Sequence, residues 1–186
     1  MRRLGSGDYR EMPWKDGGGS TTEVLIHPPG ATLAGGFLWR ISMAQVPASG
    51  PFSSFPGIDR SLMLLSGGMV LDHGEHGMQF LKAPLEPVGF SGDWATQGRL
   101  LCGPCRDFNV LSARGRVRHR LTVVRPRGGT AILPEAPRRV LICLEGEGEV
   151  AGVGLGPLEA LDVAEAGPLP AKGGVFAFVE LWGEVS

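Results

Sequence analysis

The sequence predicts an all-β protein with an internal duplication, and the first indication is its glycine and proline content. These residues number 30 and 15 among 186, about a quarter of the chain, whereas they make up about 12% of an average protein. They stand mostly singly between short apolar runs, and 42% of all residues are hydrophobic. Because glycine costs about 1 kcal/mol and proline about 3 kcal/mol inside a helix, long helices fit this pattern poorly. Many short strands joined by turns fit it well.

The apolar runs between the turns predict the strands, several of which alternate polar and apolar side chains. In chain order they are Thr21–Ile26, Phe37–Met43, Arg60–Leu65, Met69–Asp72, Gln79–Leu81, Val88–Phe90, Phe108–Leu111, Val117–Val124, Val140–Leu144, Glu147–Val153, Leu161–Ala164 and Val175–Leu181.

A repeated segment indicates that the fold is built twice. Residues Arg60–Gly67 align with Arg139–Gly146 at an offset of 79 residues, and each segment is an apolar strand that ends at a glycine. The tripeptide Pro84–Glu86 then recurs as Pro157–Glu159 at an offset of 73 residues. This order predicts a duplicated β unit of about 80 residues. Strand, glycine turn, strand, loop and proline-marked strand form the pattern of a double-stranded β-helix, or cupin, barrel.

The predicted fold is therefore a bicupin, with two tandem double-stranded β-helix barrels in one chain. Residues 1–110 form an N-terminal half that carries the candidate site, and residues 111–186 form a C-terminal half. The two halves are expected to pack as one compact unit. Small closed barrels have a mouth that can hold a small ligand.

The charge pattern argues against nucleic-acid and membrane partners. Eighteen basic and nineteen acidic residues give a net charge of −1, and no apolar run approaches the ~20 residues of a membrane-spanning helix. Arg114, Arg116, Arg118 and Arg120 alternate, but no aromatic residues stand between them as a nucleic-acid groove would require. They indicate a solvated face, with an oligomer contact or an anion site as the alternatives. With three cysteines and no leader pattern, a cytoplasmic protein is expected.

The histidines do not form a metal-ligand pattern. His73 and His76 flank a Gly-Glu pair between two predicted strands, and none of the four histidines gives the His-x-His spacing of cupin metal sites. Both are expected to be exposed turn residues. Neither a metal nor another cofactor is predicted.

Cys102-Gly-Pro-Cys105 matches the thioredoxin active-site tetrapeptide. Thioredoxin chemistry needs the first cysteine at a helix N-terminus, which lowers the pKa of its thiol. Here residues 106–111 alternate like a strand, so a Gly-Pro turn explains the spacing better. Thiol redox chemistry is kept only as a third functional hypothesis.

The first candidate ligand site is a glycine-rich segment near the N-terminus. Three adjacent glycines, Gly17, Gly18 and Gly19, closely follow Trp14 and Lys15. Glycines allow successive backbone N–H groups to point at an anion, and they let a ligand approach closely. The alternative is a flexible bend with an exposed lysine.

Polar side chains at alternate positions of three predicted strands form the second candidate. Arg40 and Ser42 share one face of their strand, Asp107 and Asn109 share a face of theirs, and Glu23 lies on a third strand. A strand with one solvated face shows the same alternation. The pattern alone therefore does not decide between a surface and a ligand site.

These motifs resemble those of the HutD/Ves family of bacterial cupin proteins. That family reads Trp-Lys-Asn-Gly-Gly-Gly near its start, followed by Thr and Glu, where this chain has Trp14–Gly19 and then Thr22-Glu23. Asp16 replaces the family's Asn, which exchanges an amide donor for a carboxylate. The likeness covers about residues 11–115, and its further segments follow in order: Trp39–Ala44, Gly50–Ser53, Phe55–Arg60, Phe90–Asp93, Gly103-Pro104 and Arg106–Val110.

The resemblance implies a single-chain, metal-free bicupin with a regulatory or accessory role in bacterial histidine utilisation. It also implies a small carboxylate of that pathway as the ligand, such as urocanate, formylglutamate or formate.

The first hypothesis is a binding protein. Lys15 and Arg40 would hold the carboxylate, the glycine backbone would add N–H donors, and Trp14 with Phe108 would form an apolar wall. The side chains expected to orient the arginine or a ligand N–H are Glu23, Asp107 and Asn109, with Ser42 on the same face as Arg40.

The alternative is a metal-independent hydrolase or isomerase. Glu23 or Asp107 would act as general acid or base, and Lys15 or Arg40 would stabilise a developing anion. The sequence shows no Ser–His or Cys–His pair with recognisable spacing, which favours the binding protein. The sequence leaves a homodimer open as a further partner.

Overall fold

Strands make up nearly all regular structure in this computed structural model, which describes residues 1–14 and 18–185. That part of the chain contains no α-helix and two short 3-10 turns, Ser6–Asp8 and Gly74–His76, so the predicted all-β class is confirmed. Within it, no helix is long and apolar enough to cross a membrane. The strands are β1 (Arg2–Leu4), β2 (Arg10–Pro13), β3 (Ser20–His27), β4 (Trp39–Val46), β5 (Gly50–Pro51), β6 (Ile58–Ser66), β7 (Met69–Asp72), β8 (Met78–Leu81), β9 (Val88–Ser91), β10 (Gln97–Leu100), β11 (Cys105–Ala113), β12 (Val117–Val124), β13 (Thr130–Leu133), β14 (Arg138–Val150), β15 (Val153–Leu155), β16 (Ala160–Val163) and β17 (Leu169–Gly183).

The strands divide into two compact units. The N-terminal unit comprises Arg10–Gly115, and the C-terminal unit combines Met1–Tyr9 with the chain from Arg116 onward. The boundary expected after residue 110 would fall inside β11, whereas the structure divides the chain in the turn between β11 and β12. The first residues join the C-terminal unit because β1 pairs with β16. The packing of both halves as one unit stays a prediction.

The N-terminal unit contains two antiparallel sheets. One has the strand order β2-β3-β4-β11-β6-β9, and the other has the order β5-β10-β7-β8. Leu62 and Leu64 of β6 pack in one buried cluster with Met69 and Leu71 of β7 and Leu81 of β8. Each such side chain contributes about 1.5–3 kcal/mol when it leaves water. The core of this unit therefore joins its two sheets.

The C-terminal unit is one sheet built on two long, irregular strands. Its order is β1-β16-β14-β17-β12, with β13 added to β17 and β15 added to β14. The pairing of β14 with β17 shifts register on both sides of Glu145. The pairing continues on both sides of these shifts. The segments predicted as two strands, Val140–Leu144 and Glu147–Val153, therefore form the single strand β14 as far as Val150.

Strand pairing repeats in the two units, as the internal duplication predicts. In the N-terminal unit β6 pairs with β9 and β11, while β7 pairs with β8 and β10. In the C-terminal unit the first part of β14 pairs with β16 and β17, and its second part with β15 and β17. The predicted pair of barrels is consistent with this repeated topology.

The Pro-Leu-Glu marker also has the same local structure in both units. Leu85 N–H donates to Leu64 O at 2.8 Å, and Leu158 N–H donates to Cys143 O at 2.7 Å. Both leucines adopt the left-handed conformation, with φ of 63° and 64°, which is rare for a residue with a side chain. Two matching exceptions at equivalent positions are better explained by duplication than by chance.

Candidate functional site

One face of the six-stranded sheet carries a buried set of polar side chains. Glu23 of β3 lies beside Ser42 of β4, which lies beside Asn109 of β11. Asp107 lies two residues before Asn109 on β11, so the two side chains point to the same face of the sheet. Its neighbour on β6, the core residue Leu64, points to that face as well. The polar cluster is defined here as Glu23, Arg40, Ser42, Arg60, Asp107 and Asn109, each of which is at most 6% exposed.

A buried ion pair joins β3 and β4. Arg40 Nε donates to Glu23 Oε2 at 2.7 Å. The other carboxylate oxygen of Glu23 lies 3.2 Å from Nη2 of Arg10, a half-exposed residue of the edge strand β2. Glu23 is therefore held between two guanidinium groups, one buried and one near solvent.

A second chain of hydrogen bonds joins β6 and β11. Arg60 Nη2 donates to Asn109 Oδ1 at 3.0 Å, and Asn109 Nδ2 donates to Asp107 Oδ1 at 2.7 Å. The Asn109 amide thus links a buried guanidinium to a buried carboxyl group. An amide can make this link because its oxygen accepts from the guanidinium while its nitrogen donates to the carboxyl group.

Three phenylalanine rings surround the Arg60 guanidinium. Its carbon lies 5.5 Å from the centroid of Phe52, 5.4 Å from that of Phe55 and 4.9 Å from that of Phe90. Nη1 also donates to Ser53 O at 3.2 Å. The cation therefore lies among ring faces, where cation–π attraction offsets part of its desolvation.

Burial shifts the pKa values of both ends of this chain. It raises the pKa of Asp107 to about 7, against the opposing effects of Arg60, the Asn109 hydrogen bond and the Ala44 backbone N–H. Burial likewise lowers the pKa of Arg60 to about 10, and nearby Arg40 lowers it further while Asp107 opposes the shift. Both shifts come from the same dry interior.

Both buried guanidiniums of the cluster have an N–H group with no acceptor in the described part of the chain. These are Nη2 of Arg40 and Nε of Arg60. Arg139 of the C-terminal unit has an unpaired Nε as well, but its two other nitrogens donate to backbone carbonyls, Gly167 O at 2.9 Å and Glu165 O at 2.7 Å. An unpaired donor alone therefore does not define a site, but two of them on one sheet face make this face the candidate site.

The structure describes part of the glycine-rich segment. Lys15 and Gly17, together with Asp16, lie outside the described residues. Trp14 Nε1 donates to Thr21 Oγ1 at 2.9 Å. Gly18 and Gly19 line an open cleft of about 270 Å³, together with Ser20, Gln45, Val46, Pro47, Pro104 and Cys105.

Gly19 has a packing reason for being glycine. A Cβ at this position would lie 2.5 Å from Gln45 O and 2.9 Å from the ring of Trp14. Close approach of β3 to β4 and to the tryptophan therefore requires a residue without a side chain.

The structure brings Glu23, Arg40, Ser42, Asp107 and Asn109 together and adds Arg60, whereas Gly18 and Gly19 line the separate cleft and Phe108 lies on the opposite sheet face. Phe108 lies between Asp107 and Asn109 in a regular part of β11, so it points to the opposite face and is fully buried there. It cannot form the predicted wall of this site. The sequence places Arg60 in a predicted strand, in the repeat and in a segment that resembles the family, but not in the site, although its alternation with Leu62 and Leu64 indicates a buried cation.

The histidine expectation is wrong for His73. This residue is 2% exposed, and its ring nitrogens lie 2.8 Å from Thr96 Oγ1 and 3.2 Å from Gln79 Oε1. His76 is exposed and stacks on Trp94. Among the described residues, no three His, Cys, Asp or Glu side chains are grouped as metal ligands would be.

The two cysteines of the tetrapeptide have different surroundings. Cys102 is exposed, whereas Cys105 is buried at the start of β11. Burial raises the pKa of the Cys105 thiol to about 11. A strand rather than a helix follows the motif, as the alternation of residues 106–111 predicts.

Comparison with solved structures defines the class of protein. The cupin 2 conserved barrel domain protein from Leptotrichia buccalis matches 88% of this chain and 88% of its own, with a TM-score of 0.52 and 11% identity. At this identity the likeness shows the fold alone, which is a cupin-like β fold. The HutD family model matches residues 6–169, and the chain belongs to that family.

Individual relatives agree with this membership. An uncharacterised 21.2 kDa protein in the hutC 3′ region of Pseudomonas putida is 41% identical over 123 residues, which cover 65% of this chain and 63% of that protein. Protein Ves of Citrobacter koseri is 33% identical over 120 residues, or 62% of this chain and 61% of that protein. The chain thus matches less than two thirds of the length of either. HutD from Pseudomonas fluorescens, solved in a formate condition, has a TM-score of 0.84 and 35% identity, with 98% of each chain covered.

Proposed function

We propose that the N-terminal unit binds a small carboxylate at the polar cluster, in an accessory or regulatory protein of bacterial histidine utilisation. The observation that carries this proposal is the pair of unpaired donors, Arg40 Nη2 and Arg60 Nε, on one buried face. A buried N–H without an acceptor costs about 1–3 kcal/mol. A carboxylate offers two oxygens and favours guanidinium partners.

The charge of the cluster suits an anion of low charge. Glu23 and Asp107 formally balance Arg40 and Arg60, but Glu23 is already bonded to Arg40 and Arg10. A bound carboxylate would give the unpaired N–H groups of Arg40 and Arg60 an acceptor. The phenylalanines around Arg60 would exclude water from that contact.

The relatives support the choice of ligand and of biological setting. The Pseudomonas putida relative lies in a hutC 3′ region, and the Pseudomonas fluorescens HutD structure was obtained in a formate condition. Formate, formylglutamate and urocanate all carry a carboxylate, so they are the first ligands to test. The proposed protein acts without a metal and in the cytoplasm, with no nucleic-acid or membrane partner.

Calorimetric titration with N-formylglutamate, urocanate and formate tests the proposal. At least one is expected to bind the wild-type protein, and Arg40→Ala and Arg60→Lys are each expected to weaken binding by at least about tenfold, because charge-assisted bonds to the ligand are lost. Arg139→Lys is the matched control, since it alters a buried arginine with an unpaired Nε in the other unit. Binding that survives both Arg40→Ala and Arg60→Lys would contradict the proposed site.

One observation favours a second candidate function, a metal-independent hydrolase or isomerase. The pKa of Asp107, raised to about 7, suits a general acid or base at neutral pH. Glu23 suits this role less, because two guanidiniums hold its carboxylate. Turnover of a carboxylate substrate that disappears in Asp107→Asn would establish this alternative, whereas saturable binding without turnover supports the binding protein.

A further inference from the structure

Asp107 is the more deeply buried of the two acidic side chains in the polar cluster. It is 1% exposed and lies on β11, the fourth of the six strands counted from the edge strand β2. Its neighbours across the strands are Ala44 of β4 and Leu64 of β6, which are both apolar. A carboxylate at this position has no access to bulk water.

The two carboxyl groups of the cluster have different hydrogen-bond partners. Glu23 accepts a hydrogen bond from the Arg40 guanidinium and forms an ion pair with that of Arg10 at 3.2 Å. Asp107 accepts from neutral donors, the Asn109 amide at 2.7 Å and the Ala44 backbone N–H. Within the described residues it makes no ion pair closer than 4.0 Å. In that part of the chain, its ionised form therefore has no positively charged hydrogen-bond partner to offset the cost of its burial.

The ionisable groups that interact electrostatically with Asp107 are Arg60 on β6 and the Cys105 thiol on its own strand. Arg40 on β4 acts in turn on Arg60, and Glu23 on β3 is hydrogen-bonded to Arg40. Burial leaves the pKa of Arg60 at about 10 and raises that of Cys105 to about 11, so both keep their protons near neutral pH. The pKa of Asp107, about 7, places its own charge change in that range.

A carboxylate bound to Arg60 would shift the protonation equilibrium of Asp107 towards the acid form. Among the groups that favour the ionised form of Asp107, the positive charge of Arg60, on the other side of the Asn109 amide, has the largest effect. A ligand oxygen on Arg60 Nε would offset that charge and bring a second negative charge into the same dry interior. Asp107 would then be protonated at a pH where it is ionised in the empty site.

We propose that the cluster binds its carboxylate ligand together with one proton from solvent, and that Asp107 holds this proton. The inference rests on the proposed function and adds a property to it. Asp107 is a positioning residue here: it acts on the ligand through Asn109 and Arg60, and its acid form keeps the cluster close to electroneutral when the anion is bound.

Thermodynamic linkage between proton binding and ligand binding gives the expected pH dependence of the dissociation constant. Uptake of one proton weakens binding about tenfold for each unit of pH above the pKa of the empty site, until the pKa of the occupied site is reached. Binding is therefore expected to be nearly independent of pH below about pH 6 and to weaken steadily from about pH 7 to pH 9. Fully ionised ligands such as N-formylglutamate contribute no proton change of their own in this range.

Calorimetry of the full chain with N-formylglutamate tests the inference. Titrations at pH 6.0, 7.0, 8.0 and 9.0, repeated in buffers of different ionisation enthalpy, give both the dissociation constant and the number of protons taken up. The wild type should take up close to one proton at pH 8.0. Asp107→Asn should bind with no proton uptake and with a dissociation constant that does not change with pH.

The outcomes separate the two proposals. Asp72→Asn is the control, since it removes a carboxylate that pairs with Arg99 on the other sheet, and it should keep the wild-type proton uptake. Wild-type binding without proton uptake overturns the inference and leaves the proposed function standing. Proton uptake that persists in Asp107→Asn overturns the assignment to Asp107. No binding at any pH overturns the proposed function itself.

Discussion

Arg40 donates from Nε to Glu23 Oε2 at 2.7 Å, and neither side chain is more than 6% exposed. The bond is diagonal, because the strand neighbour of Glu23 is Ser42 rather than Arg40. Arg10 completes the pair from the edge strand. A buried pair of this kind fixes geometry more than it stabilises a fold, since desolvation offsets much of the attraction. It therefore orients the remaining N–H groups of Arg40 within the proposed site.

Breaking this pair from one side should destabilise the protein strongly. Glu23→Leu leaves Arg40 buried without its carboxylate, which costs about 3–5 kcal/mol. The double variant Glu23→Leu with Arg40→Leu should recover most of that loss, because no buried charge is left alone. Urea unfolding of the wild type, both single variants and the double variant measures the coupling. Strictly additive losses would contradict a direct pair.

Gly19→Ala should destabilise the protein by about 1–3 kcal/mol. The new methyl group would meet Gln45 O at 2.5 Å and the Trp14 ring at 2.9 Å, so strand or ring must move. Gly50→Ala is the matched control, because a Cβ there meets nothing within 4 Å. Thermal unfolding of both variants checks the prediction, and equal melting temperatures would show that Gly19 is not required by packing.

Asp107 should make the stability of the ligand-free protein fall as pH rises from about 4 to about 7. Its pKa is raised from the ordinary 3.8 to about 7 in the folded state, so the folded protein holds a proton that the unfolded chain has already lost in this range. The free energy of unfolding then drops by at most about 1.4 kcal/mol per pH unit. Asp107→Asn lacks this drop. The free energy of unfolding of the variant, minus that of the wild type, should therefore grow with pH and level off above about pH 7. Parallel stability curves for the two proteins would contradict the raised pKa.

The three cysteines should react unequally with a thiol reagent. Cys102 is exposed, whereas Cys105 and Cys143 are buried and burial raises the pKa of both thiols. Alkylation at pH 7.5 followed by peptide mass spectrometry should label Cys102 alone in the folded protein and all three in urea. Rapid labelling of folded Cys105 would revive the redox hypothesis, as would loss of ligand binding in Cys102→Ser.

Strand alternation predicted much of the candidate site. Arg40 with Ser42, and Asp107 with Asn109, share a face because successive side chains of a strand point to opposite sides. The same rule places Phe108 on the other face, so assigning it to the site contradicted the pattern itself. The duplication was also visible, because each unit keeps its own glycine turn and Pro-Leu-Glu marker.

The remaining features depend on contacts between distant segments. Arg60 joins the site because β6 lies beside β11, and alternation within one strand does not reveal its neighbours. His73 looked like an exposed turn residue, but Thr96 and Trp94 from a later segment contact it. Nothing local to the sequence around His73 signals those partners.

The central claim is that a ligand carboxylate bonds to the unpaired N–H of Arg60. Proton–nitrogen NMR of the arginine Nε–H groups, assigned with Arg60→Lys and Arg40→Lys, tests it directly during titration with N-formylglutamate at pH 6.5. The Arg60 Nε–H signal should move saturably, with the dissociation constant found by calorimetry. Saturable binding that leaves this signal unchanged would contradict the site proposed here.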